Sequence, residues 1–428
     1  MDMSDSRLFA RPNPEDRRLT TPPHTPRPRG VQAATSPSVD AVRADPSRVD
    51  EFYDRILAEG APLVEGDGDW RSFTWVHRGD ADRVAIVAGK LTDDTTMDDA
   101  VFRRTTGTDL WTLTLALPAR WRGTYSLAVD DGSVAPQTNP VLNERRARSL
   151  GATDSSRHDQ VNAWYDLLAL ARPDPLAREW FRGSSVASGP DAPPAIATTA
   201  PERPGRLVPV RIVAEGGGHR DGHWFVPASA GADAAVLVLL DGDRLLLDGE
   251  DALDAWVHTH LALNTVVLLL GHGGVRQRDI DLTCNPHLVA DLRSLLEAAP
   301  VPVTADPART AIQGSSLGGL SALFAQCVAP DRFGVSICQS GSFWWPNASS
   351  GYPAEWLTDV LDDSDVSLGV VHLSVGSDEW VLIEPVRRMR DVLVERAALL
   401  DYHEFAGGHD AACWQAELPG VLARIGFG

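Results

Sequence analysis

The stretch Thr310-Ala311-Ile312-Gln313-Gly314-Ser315-Ser316-Leu317-Gly318-Gly319-Leu320 runs from a short apolar strand through a glycine-flanked serine into a helix-forming segment. A G-x-S-x-G serine in that context marks a nucleophile elbow: a sharp strand-to-helix turn that lifts the serine hydroxyl above the sheet edge. Gly314 and Gly318 leave room for the tight backbone, and Gly319 lets the helix approach closely. The reading assigns Ser316 as nucleophile and the N–H of Leu317, at the helix N-terminus, as a donor to the developing oxyanion. Ser315 is the competing hydroxyl, one position out of register.

The flanking sequence has the pattern this turn needs. Continuous apolar runs at 234–240, 265–270, 310–312, 334–337 and 369–375 read as buried strands. The segments 288–298, 317–328 and 381–400 read as helices between them. Buried strands alternating with helices form a parallel sheet covered on both faces. The fold class is therefore α/β, of the α/β-hydrolase type, over residues 204–428.

A serine nucleophile needs a base. His409 lies in Ala406-Gly407-Gly408-His409-Asp410, a loop after the last short strand, Tyr402 to Phe405, where the order serine, acid, histidine places it. His372 and His403 fall inside strands and read as ordinary strand residues. The acid is expected after the strand ending at Val375, where Gly376-Ser377-Asp378-Glu379 offers two carboxylates. Leu239-Leu240-Asp241-Gly242-Asp243 ends an earlier strand. The backbone N–H of Asp243 is a candidate second oxyanion donor, and Asp241 reads equally well as a turn-capping residue.

Upstream, the pattern changes. Residues 46–180 carry period-2 alternation at 72–76, 83–87, 110–115 and 123–129, with Gly- and Asp-rich turns between, which indicates a smaller β-sandwich of immunoglobulin-like type; a helix is expected near 164–171. Residues 181–203, rich in Gly, Ser and Pro, read as a linker. Residues 1–45, rich in Pro, Arg, Thr and Ser, read as a disordered tail, with a proline-motif docking site at Thr20 to Pro26 as a minor alternative.

The formal charge of −20 disfavours nucleic acid or an anionic membrane as partner, because that field repels phosphate. It leaves open an anionic small molecule held by a local group of arginines. Lys90 is the sole lysine, a bias assigned to genome composition. Cys284, Cys327, Cys338 and Cys413 lack metal-ligand spacing, so no metal or other cofactor is expected. Without a signal-type apolar segment or a long apolar run, the expected location is the cytoplasm, with reduced thiols.

Several stretches together resemble the enterochelin esterases, which hydrolyse ferric enterobactin and related trilactone siderophores. They are Leu239-Leu240-Asp241-Gly242; Arg278 with Asp281-Leu282 and Cys284-Asn285; Gly314 to Ala322; Pro330 to Gly334; Gln339-Ser340-Gly341-Ser342-Phe343-Trp344-Trp345; and Gly407-Gly408-His409-Asp410 with Cys413-Trp414. In the first domain, Thr108 to Trp111 and Arg122 to Tyr125 match that family's N-terminal sandwich, and the likeness spans about 50–428. The family pattern of Gly, two residues, then Glu implies Glu379 rather than Asp378 as the acid. The family tends to carry Glu at the position of Asp281, and aromatic residues where Asp243, Arg244 and Leu245 stand, so the pocket is expected to differ.

The resemblance implies a serine esterase that opens the trilactone of a ferric catecholate siderophore such as enterobactin, with iron present only as part of the substrate. Trp344 and Trp345 are candidate walls for catecholate rings, with core packing the alternative. Arg244, Arg276 and Arg278 are candidate contacts to the anionic complex; Arg278 paired to Asp281 is the structural alternative. The competing readings are a carbohydrate or feruloyl ester hydrolase and a non-catalytic siderophore-binding protein. The oligomeric state is not readable from the sequence.

Overall fold

In a computed structural model, residues 6–12, 16–23, 25, 27–28, 30–132, 136, 139–348 and 351–428 are described. The first domain contains strands β1 (Leu63–Glu65), β2 (Trp70–Arg78), β3 (Arg83–Ala88), β4 (Arg103–Arg104), β5 (Leu110–Pro118), β6 (Arg122–Asp130), β7 (Ala171–Arg172), β8 (Glu179–Phe181) and β9 (Ser184–Ser188). They form two antiparallel sheets. One has the order β1-β2-β5-β4 and the other β3-β6-β9-β8, with β7 paired to β6. The inward residues of the alternating strands, Phe73, Trp75, Val84, Ile86, Leu115 and Tyr125, close on one another with Trp121 and with Trp164 from the helix His158–Leu170.

Two boundaries differ from the expectation. The hairpin β8–β9 lies inside the stretch read as linker: Gly183, at φ +78°, makes its turn, so a composition typical of linkers here serves a tight hairpin. The connecting segment therefore starts after Ser188. The described part of residues 1–45 is packed rather than extended into solvent. Leu8 enters the core of the second domain, and Leu19 is fully buried. Gln32 and Ala34 pair with β5 through Ala116 and Thr114. Pro37–Ala44 is a helix capped by Ser36, with Val39 and Val42 buried beside Ile56 and Leu63. The few apolar residues of this arm are too sparse to form a core alone, but Leu8, Leu19, Val39 and Val42 fill sites on already folded domains, so tertiary burial offsets the ordering entropy. Of the candidate docking motif, His24 and Pro26 lie outside the described residues. Asn347 Nδ2 donates to the Thr21 carbonyl (2.8 Å) and Trp380 Nε1 to that of Thr25 (2.8 Å).

The second domain holds β10 (Arg206–Val213), β11 (His219–Val226), β12 (Ala235–Leu240), β13 (Thr265–Leu270), β14 (Thr310–Ser315), β15 (Val335–Gln339), β16 (Leu368–Gly376) and β17 (Ala397–Phe405). The sheet order is β10-β11-β13-β12-β14-β15-β16-β17. The pairs from β13 to β17 are parallel, as the apolar runs require; β10 and β11, which lie outside those runs, add an antiparallel hairpin at one edge. The expected helix 381–400 stops earlier, as Ile383–Leu393, because Ala397 to Leu400 join β17 and complete the ladder along β16. Pairing available at a sheet edge overrides the helical preference of an Ala-Ala-Leu-Leu run. Among the described residues, no helix is long and apolar enough to cross a membrane.

Candidate active site

Ser316 sits between β14 and the helix Leu317–Val328 at φ +61°, ψ −123°, a conformation that non-glycine residues rarely adopt. The turn is held from three sides: Ser316 N donates to the Gln339 carbonyl (3.0 Å), while the Ser316 carbonyl accepts from Gly319 N and Ser342 N (3.0 Å each). A Cβ on Gly314 would stand 2.3 Å from the Gly318 backbone, so the elbow closes only with glycine at that position. Ser316 Oγ faces a cavity of about 420 Å³ and lies 3.4 Å from Ser342 Oγ.

His409 lines the same cavity. Its Nδ1 is 2.5 Å from Glu379 Oε1, and the other carboxylate oxygen, Oε2, accepts from Gly376 N (2.8 Å). Glu379 is fully buried, so its charge is met by these two bonds. Asp378 points elsewhere: its Oδ2 accepts the indole N–H of Trp121 (2.8 Å) from the sandwich domain, and burial pushes its carboxyl above the ordinary range. Asp378 thus makes an interdomain bond and leaves His409 to Glu379.

Trp414, noted in the sequence only for its family likeness, stands edge-on to His409 (centroids 4.7 Å apart, planes at 90°) and donates to Ser340 Oγ (2.8 Å). It lies in the first turn of the helix Ala411–Arg424 that follows the histidine loop, which brings its ring back beside the imidazole. Gln313 and Gln339, bonded to each other at 2.9 Å, also line the cavity with Arg182 and Trp256, which the sequence did not single out.

The opposite wall is the turn after β12. Asp241 adopts φ +56°, and its carboxylate takes a fork from Arg278 (2.6–2.9 Å). Burial would push this carboxyl up, but the guanidinium outweighs it and holds the group below the usual range. Arg278 is therefore an anchor through Asp241, not through Asp281. Asp281 is buried against Arg220, His272 and Gln277 instead. Gly242 and Arg244 line the cavity. Asp243 follows in the first turn of Gly242–Asp248 with its carboxylate toward Gly271, and Arg276 is exposed outside the cavity lining.

The two tryptophans proposed as ring walls are core residues. Trp344 is 4% and Trp345 0% exposed, Trp345 packs edge-on against Trp356, and neither lines the cavity. Both belong to the same hydrophobic core as Leu320 and Phe324 of the helix Leu317–Val328, and burial there removes their apolar rings from water.

The sandwich domain holds the histidine loop directly. Arg122 N donates to the Ala406 carbonyl (3.1 Å), and Asp410 Oδ2 accepts from Thr124 N and Oγ1 (2.6 and 2.7 Å) while Oδ1 caps the helix Ala411–Arg424. Cys413 Sγ approaches the Arg122 carbonyl at 3.1 Å. All four cysteines are free and buried.

Comparison with known proteins bears on both domains. Residues 70–198 match the family model for the N-terminal domain of enterochelin esterase, and residues 229–425 match that of putative esterases. An iron(III) enterobactin esterase of Dickeya dadantii is 28% identical over 411 residues, covering 86% of this chain and 90% of its own. An iron(III) salmochelin esterase of Escherichia coli is 26% identical, covering 86% and 91%. The enterobactin esterase structure from Shigella flexneri, determined in the presence of 2,3-dihydroxy-N-benzoyl-glycine, superposes with a TM-score of 0.66 at 25% identity over 87% of this chain and 97% of that one. The ferric enterobactin esterase of Salmonella typhimurium gives 0.67 at 25% identity over 85% and 96%. With the sandwich and the esterase domain matched in order along one chain, and relatives aligned across both, the protein belongs to the enterochelin esterase family.

Proposed function

We propose that the protein hydrolyses the ester bonds of a ferric catecholate trilactone siderophore such as enterobactin, with Ser316 as nucleophile, His409 as general base and acid, and Glu379 as the orienting carboxylate. The observation that carries this reading is the Glu379–His409 bond of 2.5 Å beside a cavity that the strained Ser316 also lines. A carboxylate on Nδ1 keeps the Nδ1–H tautomer, so Nε2 is free to take the serine proton. Ser316 Oγ attacks the ester carbonyl, and the protonated His409 returns that proton to the leaving alkoxide. Water then cleaves the acyl-enzyme by the same route in reverse order.

The N–H of Leu317 and the N–H of Asp243 are the oxyanion donors in this reading, supported by their positions at the two helical turns that flank Ser316 and Gly242. Arg244 on the cavity wall supplies positive charge to an anionic substrate, and Arg278 stiffens the Asp241 turn. Iron enters as cargo of the substrate. The relatives' substrates and the absence of a nucleic-acid-attracting field favour a small-molecule partner, and the cytoplasm is the proposed location.

The test is product identification by mass after incubation with ferric and iron-free enterobactin and with a feruloyl ester. Linear trimer, dimer and monomer from the trilactone, abolished by Ser316→Ala, are expected. Feruloyl ester cleavage with the trilactone untouched would overturn the substrate assignment.

A further inference from the structure

His409 also lines a second cavity, of about 520 Å³, whose lining does not include Ser316. Its walls come from the N-terminal arm, the turn after β3, the helix Pro140–Ala152 and Trp380. Four cations line it: Arg27, Lys90, Arg145 and Arg148. Arg27 and Lys90 both lie over the Trp380 ring, at 5.2 and 5.3 Å from its centroid. Arg145 and Arg148 are three apart on one helix and so share a face.

Among the described residues, none of the four pairs with a carboxylate at salt-bridge distance. Of the two acidic groups in the lining, Asp94 pairs with Arg157 (3.0 Å), and Asp93 caps a turn through Thr95 N and Oγ1 (2.7 and 2.6 Å) while acting on Arg27 and Lys90 from beyond salt-bridge distance. Arg27 donates to the Leu91 carbonyl, so among the described residues the four cations meet backbone and ring but no carboxylate at salt-bridge distance, in a chain of net charge −20 where acidic partners are plentiful. Lys90 is also costly to keep charged there, since burial lowers its pKa. An anion entering the cavity would relieve that cost.

We propose that this sandwich-side cavity is an anion subsite that receives the iron–catecholate part of the substrate while an ester carbonyl reaches Ser316 across His409. The assignment rests on the esterase reading for its ligand. The chemistry of the walls fits: an iron tris-catecholate carries three negative charges on aromatic rings, and the cavity offers cations alternating with the Trp380 ring. It also gives the sandwich domain and the arm a part in substrate selection, since three of the four cations come from the sandwich domain and the fourth, Arg27, from the arm.

The probe is iron(III) tris-catecholate, which has no ester, so its binding is read independently of hydrolysis. Quenching of tryptophan fluorescence is titrated on the full chain and on Arg145→Gln/Arg148→Gln, with Arg104→Gln/Arg120→Gln as a control of equal charge change outside the cavity. The expected result is a rise in Kd of about tenfold or more in the first variant and little change in the control. A Lys90→Met variant should weaken the probe as well, and circular dichroism checks its folding. No binding of the probe, or an equal loss in the control, would overturn the subsite. Probe binding that depends on Arg145 and Arg148 in a protein that leaves the trilactone intact would keep the subsite and discard the esterase substrate.

Discussion

Replacing Glu379 by Gln should nearly abolish turnover while leaving the fold in place. Glu379 spends one oxygen on Gly376 N (2.8 Å) and the other on His409 Nδ1 (2.5 Å). A glutamine can keep only one acceptor. If its oxygen stays on Gly376, its amide N–H₂ faces Nδ1 and forces that atom to accept, moving the imidazole proton to Nε2, where it blocks removal of the serine proton. Losing the charge-assisted bond alone is worth about 1.5–3 kcal/mol, or roughly ten- to a hundred-fold. The wrong tautomer adds to this, toward a fall of about 10⁴ in kcat, equivalent to about 5.4 kcal/mol at 1.36 kcal/mol per decade. The assay is kcat on one aryl ester for the wild type, Glu379→Gln and Asp378→Asn, with thermal unfolding of each. Asp378 bonds Trp121 instead of His409, and an Asn can still accept the indole N–H in a weaker, neutral bond, so its variant should keep most of the turnover and lose some stability. A crippled Asp378→Asn beside a Glu379→Gln within tenfold of wild type would refute the assignment; two active variants would reduce the site to a serine–histidine dyad.

Arg244→Ala should weaken a ferric trilactone far more than a neutral aryl ester, whereas Arg276→Ala, outside the cavity lining, should affect both little; KM for the two substrates separates these outcomes. Trp121→Phe removes the donor to buried Asp378 and should cost about 1–3 kcal/mol in denaturant unfolding, and its aryl-ester kcat should fall through the shifted neighbouring acid. Leu19→Ala should destabilise by about 2–5 kcal/mol if the arm folds with the domains, and by almost nothing if the arm is loosely attached, as read by the urea midpoint. Stability should decline with acid in two steps. Burial holds His372 below its usual 6.5, so the unfolded chain takes up a proton near that pH that the folded chain refuses, and folding weakens as pH falls through it. Asp401, held at about 2 by His372 and Arg424, contributes stability that is lost between 3.8 and about 2. His372→Asn should flatten the first step in a series of Tm values from pH 7 to 5.

What was readable in the sequence was set by local chemistry. The elbow is fixed by short-range sterics at Gly314 and Ser316, the buried strands by apolar runs with no alternative fate, and the histidine loop by its place after the last strand. What was not readable depends on partners distant in the chain. Trp344 and Trp345 look the same in sequence whether they wall a pocket or fill a core, and the fold of the following loop decides. Arg278 had two aspartates to choose from, and the left-handed turn at Asp241 brought the farther one within reach. The arm's Leu8 and Leu19 are isolated apolar residues whose sockets lie hundreds of positions away, so composition alone gave a disordered tail. Choosing between Asp378 and Glu379 needed the family pattern, because both carboxylates follow the same strand and differ only in which domain they face.

That division of adjacent carboxylates explains why an esterase domain would keep a sandwich in front of it. Trp121 grips Asp378, one residue before the acid on His409, and Thr124 grips Asp410, one residue after the histidine itself. These contacts come from opposite ends of the segment Trp121–Thr124, whose backbone also pairs with Ala406. One short rigid segment at the start of β6 therefore fixes both loops that must meet for His409 to reach Glu379. Loops that carry catalytic groups are mobile unless a scaffold overdetermines them, and here part of that scaffold belongs to the other domain. Separating the domains would free the acid and base loops together. The isolated second domain should then fail as a catalyst even where its sheet and elbow still fold.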